Sequence, residues 1–316
     1  MSIISISSSS RNSDPPEKPA DARFNVPTGQ RKMCRSNFVI MSFLRGLCPP
    51  LLWRGLSRVR RACGYGKEYS PLELELARLE KLPLGTPVAT SIFGGTFRAD
   101  DAQAFLEMYK AYFERQTYQF TAKRAAPLIF DGGANVGVGV RYWKSICPDA
   151  RVVAFEPDPD TFADLRANCA SLNGIEYCQA ALWVENGNRT FRALGGVQGH
   201  LACLCPQADG RNTAVTTVRL RDRLTEPVEL LKLDIEGAEV DVLLDCADRL
   251  HLVDKVFVEY HSFVGAPQRL RSFFGVLEEA GYRIHALPEL PAKRPFMHRP
   301  VVNNKDFRLN VFCFRE

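Results

Sequence analysis

The chain has 316 residues, 46% of them hydrophobic and 24% charged, so it is long and apolar enough to bury one large α/β core with extensions. Its formal net charge of +5 comes from the N-terminal part, because residues 1–66 hold 11 Lys and Arg against 3 Asp and Glu. The remainder is slightly acidic. A nucleic-acid enzyme is therefore not expected, since it would need basic side chains around its site.

Two N-terminal segments differ from the rest of the chain. Residues 1–32 are rich in Ser, Pro and charge, and this composition predicts a disordered tail. Residues 33–66 form a basic amphipathic segment whose apolar run, broken by Arg45 and a proline pair, is too short to span a bilayer. Within it, residues 37–62 are expected either to lie on an anionic membrane surface or to pack on the main domain as a helical extension.

The cysteines and the N-terminal sequence indicate a reducing compartment. The chain has ten cysteines but no C-x-x-C pair, which is not a zinc-binding pattern. The sequence also lacks the ordered regions of a secretory signal peptide. We therefore expect a cytoplasmic protein with reduced thiols, and we place any membrane contact of residues 37–62 at the inner face of the membrane.

Residues 67–126 are predicted to be a helical extension that leads into the core. Ser70 followed by Pro71 indicates a capped helix start. A second helix is predicted over residues 100–120, in which large apolar side chains recur at helical spacing and are assigned to the core. That stripe consists of Phe105, Met108, Tyr109 and Tyr112.

The most informative motif opens the main domain, predicted at 127–316. An apolar run at 128–130 ends in Asp131 and breaks into a Gly-rich turn, 132–137, as a buried strand does when it delivers a loop to a ligand. The glycines do not fit the dinucleotide fingerprint G-x-G-x-x-G, and Asp131 would repel a phosphate. A nucleoside that carries a positive charge, as S-adenosylmethionine does, fits better. The alternative is a tight turn in which Asp131 only caps the next helix.

A second apolar run, residues 152–155, ends in Glu156. It predicts the neighbouring parallel strand. Glu156 follows the Gly-rich turn at about the 20-residue spacing at which an acid binds ribose hydroxyls. The two runs together predict a pocket for a nucleoside. A third strand is predicted from Ile175 to Leu182.

Two later apolar runs also end in polar residues. The first is followed by Asp234 and Glu236, and the second by Glu259 and His261. Because ligands bind outside the carboxyl ends of parallel strands, these side chains are expected on one rim. Alternation places Glu259 and His261 on the same side of their strand. Glu239 is assigned to the first turn of the following helix, where an acid is favourable.

These residues suggest two kinds of chemistry. His261 is a candidate general base because its ordinary pKa lies near neutrality, and a merely hydrogen-bonded histidine at a strand end is the alternative. Asp234 and Glu236 alternatively form a carboxylate pair for a divalent metal.

Residues 188–219 depart from a simple alternation of strands and helices. Polar and apolar residues alternate on both sides of a Gly-rich loop, so this insertion is predicted to contain strands and to act as a substrate lid. His200 is a candidate contributor to the site. Contacts with a substrate are expected here and in the Pro-rich loop after Leu287.

Four motifs together resemble the FkbM family of S-adenosylmethionine-dependent methyltransferases. They lie at 130–137, 154–158, 231–239 and 258–261. The likeness covers about residues 85–316. It departs from the family at residues 137–140, where an aromatic residue and then Ser or Thr are more usual at the last two positions. The resemblance implies an α/β fold with the Rossmann-like seven-stranded sheet of class I methyltransferases, here preceded by the helical N-terminal extension.

The resemblance also implies a cofactor, a reaction and a set of site residues. The cofactor is S-adenosyl-L-methionine, and the reaction is methyl transfer to oxygen, typically of a sugar, glycan or natural-product hydroxyl. His261 or Asp234 is expected to be the base, with Glu259 orienting it. The residues expected to bind the cofactor are Asp131, Gly133, Asn135, Gly137, Glu156 and Asp234.

Two other functions stay open on the sequence alone. A nucleotide-sugar glycosyltransferase would use Asp234 and Glu236 to hold a metal. A non-catalytic adaptor of a glycan-assembly complex would keep the fold without turnover. For the methyltransferase, the expected partner is a small-molecule or glycan substrate, with no nucleic acid and no metal.

Overall fold

The computed structural model covers the region of the main domain and part of the helical extension. The described residues are 69–195, 198–201, 204, 211–289 and 291–315. The predicted tail at 1–32 and the basic segment at 33–66, with its expected membrane contact at 37–62, lie outside the described residues.

The described elements alternate between strands and helices over most of the chain. The strands are β1 (Val88–Thr90), β2 (Phe97–Ala99), β3 (Leu128–Gly132), β4 (Arg151–Phe155), β5 (Ile175–Cys178), β6 (Ala181–Trp183), β7 (Gly187–Gly195), β8 (Gln198–Leu201), β9 (Arg211–Arg219), β10 (Val228–Leu233), β11 (Val253–Phe263), β12 (Arg283–Pro288) and β13 (Lys305–Phe314). The α-helices are α1 (Pro71–Leu79), α2 (Ala102–Tyr109), α3 (Val138–Ile146), α4 (Pro159–Cys169), α5 (Leu220–Arg223), α6 (Glu239–Asp245) and α7 (Leu270–Glu279).

A seven-stranded sheet carries the fold, in the order β12-β13-β11-β10-β3-β4-β5. Strands β5, β4, β3, β10 and β11 run parallel, whereas β13 is antiparallel to both β11 and β12. The direction in which the chain builds the sheet reverses between β3 and β10. Open α/β sheets bind their ligands at such a reversal, outside the carboxyl ends of the strands. The predicted α/β sheet of seven strands is confirmed.

The central strands are apolar on both faces because helices cover both sides of the sheet. On one face, Phe130 and Leu231 pack in a core that includes residues of α6 and α7. On the other face, Ile129 and Val152 pack with residues of α2, α3 and α4. Within the described residues, no helix combines the length and the hydrophobicity that a bilayer-spanning segment needs.

The two helices of the N-terminal extension follow the sequence only in part. Helix α1 begins as predicted, with Ser70 and Glu73 forming a reciprocal capping box. The helix predicted over 100–120 is too long, because α2 ends at Tyr109 and passes into a π-helical turn, Lys110–Glu114. Two residues later, Gln116 has a positive φ of 52°, which is incompatible with further right-handed helix.

The insertion forms a second sheet, with strand order β6-β9-β7-β8. The strands predicted between 188 and 219 are confirmed, but the sheet begins earlier, at Ala181. The single strand predicted from Ile175 to Leu182 is wrong. The N–H of Ala180 donates to the Cys178 carbonyl, and this tight turn sends the chain from the main sheet into the second one.

Gly137 offers a test of how closely α3 packs on α4. It precedes α3 with a φ of +93°, and a Cβ there would lie 2.7 Å from the Cys169 sulfur and 2.9 Å from Leu165 Cδ1. We therefore expect Gly137→Ala to lower the free energy of unfolding by about 1–3 kcal/mol in urea denaturation.

The matched control for this change is Gly275→Ala. Gly275 lies inside α7 and has open space where a Cβ would stand, so alanine should raise helix stability by about 0.5–1 kcal/mol. An unfolding midpoint of Gly137→Ala equal to that of the wild type would contradict the close packing.

Candidate active site

A cavity of about 760 Å³ opens at the carboxyl ends of the central strands. Its volume falls within the range of small-molecule sites. The main sheet supplies residues from the ends of β3, β4, β10 and β11, while α2 and the π-helical turn supply Met108 and Tyr112. The inserted sheet closes one side with Phe191, Leu201 and Arg211. The insertion therefore reaches the cavity, as a substrate lid would have to.

The Glu156 carboxylate joins the Gly-rich loop to the end of β4. Its Oε2 accepts the N–H of Asn135 at 3.0 Å, and its Oε1 accepts the N–H of Asp158 at 3.0 Å. A carboxylate offers about four lone-pair positions, so it keeps capacity to accept hydrogen bonds from a ligand in the cavity. Burial raises the pKa of Glu156 to about 7, although the two backbone N–H groups act in the opposite direction.

The Gly-rich loop places its predicted residues differently. Gly133 and Asn135 line the cavity. Position 133 requires glycine for two reasons: φ is +76°, and a Cβ would lie 2.0 Å from the Asp234 carbonyl oxygen. Asn135 adopts a left-handed φ of 49°, which its short polar side chain tolerates. Gly137 does not line the cavity, contrary to expectation, because it packs against α4 instead.

Asp131 is held by a buried lysine. Its Oδ1 lies 3.2 Å from Lys232 Nζ, and both side chains are at most 5% exposed. The alternative in which Asp131 caps the next helix is wrong, since Gly137 is the residue that precedes α3. Burial raises the pKa of Asp131, and the Lys232 ammonium opposes that shift. Burial alone would lower the pKa of Lys232, but the negative charges of Asp131 and Asp234 raise this pKa above its ordinary value.

Asp234, Glu259 and His261 come together at the ends of β10 and β11. One oxygen of each carboxylate and one ring nitrogen all lie within 4.8 Å of one another. Asp234 and Glu259 line the cavity. Burial and then the neighbouring Glu259 raise the pKa of Asp234.

His261 lies behind this wall rather than in it. Its side chain has no exposed area and does not line the cavity. Its Nε2 lies 3.3 Å from Glu259 and 3.6 Å from Glu236. Burial would lower the pKa of His261, but Glu236 and Glu239 raise it well above its ordinary value. Direct proton abstraction from a substrate by His261, as expected from the sequence, therefore does not fit this position.

Glu239 lies in the first turn of α6, as predicted, and it also orients the histidine. Its fully buried carboxylate lies 2.9 Å from His261 Nδ1 and accepts the N–H groups of Ile235 and Gly237. The chain makes this contact because Glu236 and Gly237 have positive φ angles of 58° and 105°. Glu259, the residue expected to orient His261, contacts its other ring nitrogen.

Two further expectations take a different form. Glu236, the proposed metal partner of Asp234, forms an ion pair with the buried Lys305. The side chains that lie close enough together to share a metal ion with Asp234 are those of Glu259 and His261 instead. His200 is buried against Phe263, with ring centroids 5.6 Å apart, and does not line the cavity.

Lys232 and Arg308 are site residues that sequence reasoning missed. The signal for Lys232 was visible, since a charged residue in the middle of an apolar strand needs a buried partner. Arg308 lies 3.4 Å from Glu259 and 3.3 Å from Glu289. Its signal was weak, because it stands in an antiparallel strand and lies 49 residues from Glu259 along the chain.

The sequence of this chain is similar to those of known methyltransferases. A sequence model of the methyltransferase FkbM domain matches residues 131–284. Methyltransferase sdnD of Sordaria araneosa is 29% identical over 216 residues, which are 56% of this chain and 82% of that protein. Methyltransferase 1 of Beauveria bassiana is 30% identical over 179 residues, 48% and 72% of the two chains. The 2-O-methyltransferase NoeI of Sinorhizobium fredii is 28% identical over 154 residues, 42% and 63% of the two chains.

The buried pair of Asp131 and Lys232 should show strong energetic coupling. Lys232→Met leaves a buried carboxylate without its cation, so the free energy of unfolding should fall by about 3–5 kcal/mol in urea denaturation. The double variant Asp131→Asn with Lys232→Met removes both charges and should recover part of that loss. Additive effects of the two single changes would contradict the pairing.

Proposed function

Because the chain belongs to the FkbM family of S-adenosylmethionine-dependent methyltransferases, we propose that it binds S-adenosyl-L-methionine in the cavity and methylates a hydroxyl oxygen. The observation that carries this proposal is the position of Glu156. Its carboxylate faces the cavity at the end of β4, beside the Gly-rich loop, and keeps acceptor capacity for the two ribose hydroxyls.

The rest of the cofactor follows the Gly-rich loop in this proposal. Gly133 and Asn135 provide the wall against which the methionine portion lies. Asp131 also lines the cavity, but Lys232 already balances much of its charge. Asp131 therefore attracts the cationic end of the cofactor through hydrogen bonds or water rather than as an isolated charge.

The acceptor hydroxyl is placed against Asp234. This carboxylate is the predicted base that reaches the cavity, whereas His261 lies behind it. With S-adenosylmethionine bound, its sulfonium would supply the methyl group to the hydroxyl oxygen and keep the electron pair of the broken bond, and Asp234 would accept the hydroxyl proton. The products are a methyl ether and neutral S-adenosylhomocysteine. Alignment of oxygen, methyl carbon and sulfur provides most of the acceleration.

The acceptor itself is proposed to be a sugar, glycan or natural product. The relative NoeI is a 2-O-methyltransferase, which supports oxygen as the methylated atom. The inserted sheet adds Phe191 and Leu201 to the cavity, and Arg308 and Glu289 also line it. A cavity that combines apolar surface with charged hydrogen-bonding groups suits a hydroxylated carbon skeleton.

Removing the Glu156 carboxylate tests cofactor binding. Glu156→Ala loses two charge-assisted hydrogen bonds to the ribose, so S-adenosylhomocysteine should bind at least about 100-fold more weakly in isothermal titration. Glu226→Ala is the matched control, because that exposed carboxylate pairs with Arg151 at the opposite end of β4. Equal affinity of wild type and Glu156→Ala would exclude the assigned role of Glu156.

The affinity should also depend on pH. Burial raises the pKa of Glu156 to about 7, and only the ionised carboxylate accepts hydrogen bonds at both oxygens. S-adenosylhomocysteine should therefore bind more tightly as the pH rises from 6 to 8. In Glu156→Gln this dependence should be lost, since glutamine does not titrate. A wild-type affinity that is constant over this interval would speak against Glu156 as the ribose acceptor.

Asp234 is tested by the substitution Asp234→Asn. With the acceptor oxygen no longer placed against a carboxylate, turnover should fall by about 100- to 10,000-fold. The substitution removes none of the Glu156 contacts, so affinity for S-adenosylhomocysteine should change much less. Asp241→Asn, which alters a carboxylate paired with Arg269 outside the cavity, should retain turnover. Undiminished turnover of Asp234→Asn would exclude it as the base.

A screen of acceptors tests the reaction itself. The full-length protein, S-adenosylmethionine and panels of hydroxylated sugars, lipid-linked glycans and natural products are incubated together. The expected result is the cofactor-dependent mass gain of one methyl group, with equimolar S-adenosylhomocysteine. Methylation found only on amines or carboxylates would contradict the proposal of a hydroxyl acceptor.

A further inference from the structure

We propose that Asp234, Glu259 and His261 bind a divalent metal cation in the wall of the cavity. The proposal revises the expectation of no metal and the alternative in which Asp234 pairs with Glu236. The arrangement of the three side chains is observed independently of the proposed function. The role that we give the cation rests on that function.

The three side chains already approach the spacing of metal ligands. Their ligand atoms all lie within 4.8 Å of one another, and His261 Nε2 lies 3.3 Å from Glu259 Oε1. Two ligands held at about 2.1 Å from one cation stand roughly 3.0–3.4 Å apart at octahedral or tetrahedral angles. The histidine and Glu259 therefore need little movement, and Asp234 has a partly exposed side chain that can turn towards them.

The orientation of His261 is a second, independent observation. The fully buried carboxylate of Glu239 accepts two backbone N–H groups and lies against Nδ1, so Nδ1 carries the proton and donates. This leaves Nε2, which is buried and makes no hydrogen bond, directed at carboxylate oxygens. A ring nitrogen that faces carboxylates needs a proton or a cation between them. A carboxylate behind the distal nitrogen is also the usual support of a histidine ligand.

The nearby cations do not fill this position. Lys232 is closer to Asp131, at 3.2 Å, than to Asp234, at 3.7 Å. Lys305 pairs with Glu236. Arg308 lies 3.4 Å from Glu259, but it also contacts Glu289 at 3.3 Å. Each of these side-chain cations thus has a carboxylate partner outside the trio of Asp234, Glu259 and His261.

The ligand set indicates the kind of cation. One imidazole with two carboxylates suits a first-row divalent ion such as Mn²⁺, whereas Mg²⁺ prefers oxygen ligands and retained water. Asp234 and Glu259 also line the cavity, so a bound cation would keep positions open to it. The acceptor hydroxyl would occupy such a position. One Asp234 oxygen would bind the cation and the other would accept the hydroxyl proton, while the cation orients the hydroxyl and lowers its pKa.

The test uses the full chain after treatment with EDTA and its removal. Mn²⁺ is titrated in, and unbound Mn²⁺ is measured by electron paramagnetic resonance. We expect one Mn²⁺ per chain. Asp234→Asn and His261→Gln should each weaken binding by at least about 100-fold, and Glu239→Gln by about 10- to 100-fold through the orientation of the histidine. Asp254→Asn changes a carboxylate at the start of β11 that pairs with Lys255, and should leave binding unchanged.

Two outcomes would overturn the proposal. One is wild-type protein that takes up no Mn²⁺ at millimolar concentration. The other is stoichiometric binding that neither Asp234→Asn nor His261→Gln weakens, with thermal unfolding showing that both variants are folded. Titration of the same samples with S-adenosylhomocysteine separates the two hypotheses. Retained cofactor binding without Mn²⁺ uptake rejects the metal site alone, whereas lost cofactor binding with intact Mn²⁺ uptake rejects the proposed function.

Discussion

The hydrogen bonds to the Glu156 carboxylate are the constraint on which the cavity depends. They bind the Gly-rich loop after β3 to the chain after β4, through the N–H groups of Asn135 and Asp158. The Phe155 carbonyl adds a second connection by accepting the N–H groups of Gly133 and Ala134. A single short segment thus fixes the loop and presents an acid to the cavity. Because these contacts are made within the protein, the fold itself organises this wall of the cavity.

The buried pair of Asp131 and Lys232 connects β3 to β10, the two strands between which the direction of sheet building reverses. The two residues stand opposite each other in the register of β3 and β10. Lys232 also donates to the carbonyls of Gly132 and Gly133, so its ammonium holds the root of the loop as well as the aspartate. Two central strands are therefore joined by side chains near the carboxyl ends that border the cavity. Such a pair specifies geometry more than it adds stability.

The sequence predicted the central strands and the polar side chains at their carboxyl ends, because apolar runs that end in acids are local patterns. It could not predict the partners. Lys232 meets Asp131 only through the register of two strands that are far apart in the chain. Alternation placed Glu259 and His261 on one side, but it does not say which of them reaches the cavity. Glu239 approaches His261 only because Glu236 and Gly237 adopt positive φ angles, and no helical periodicity announces such a turn. These features depend on tertiary packing rather than on local propensity.

The excess of acids around the cavity has a consequence under the proposed function. Asp234, Glu236 and Glu259 line one wall, and Asp158, Asp160 and Asp164 line another. The sulfonium of S-adenosylmethionine carries a charge that the sulfur of S-adenosylhomocysteine lacks. In a partly buried site this charge is attracted far more strongly than in water. These acids therefore favour binding of the cofactor over binding of its product. Methyl transfer itself removes the interaction that holds the cationic end in place. Product release is then built into the charge change of the reaction, whichever acceptor takes the methyl group.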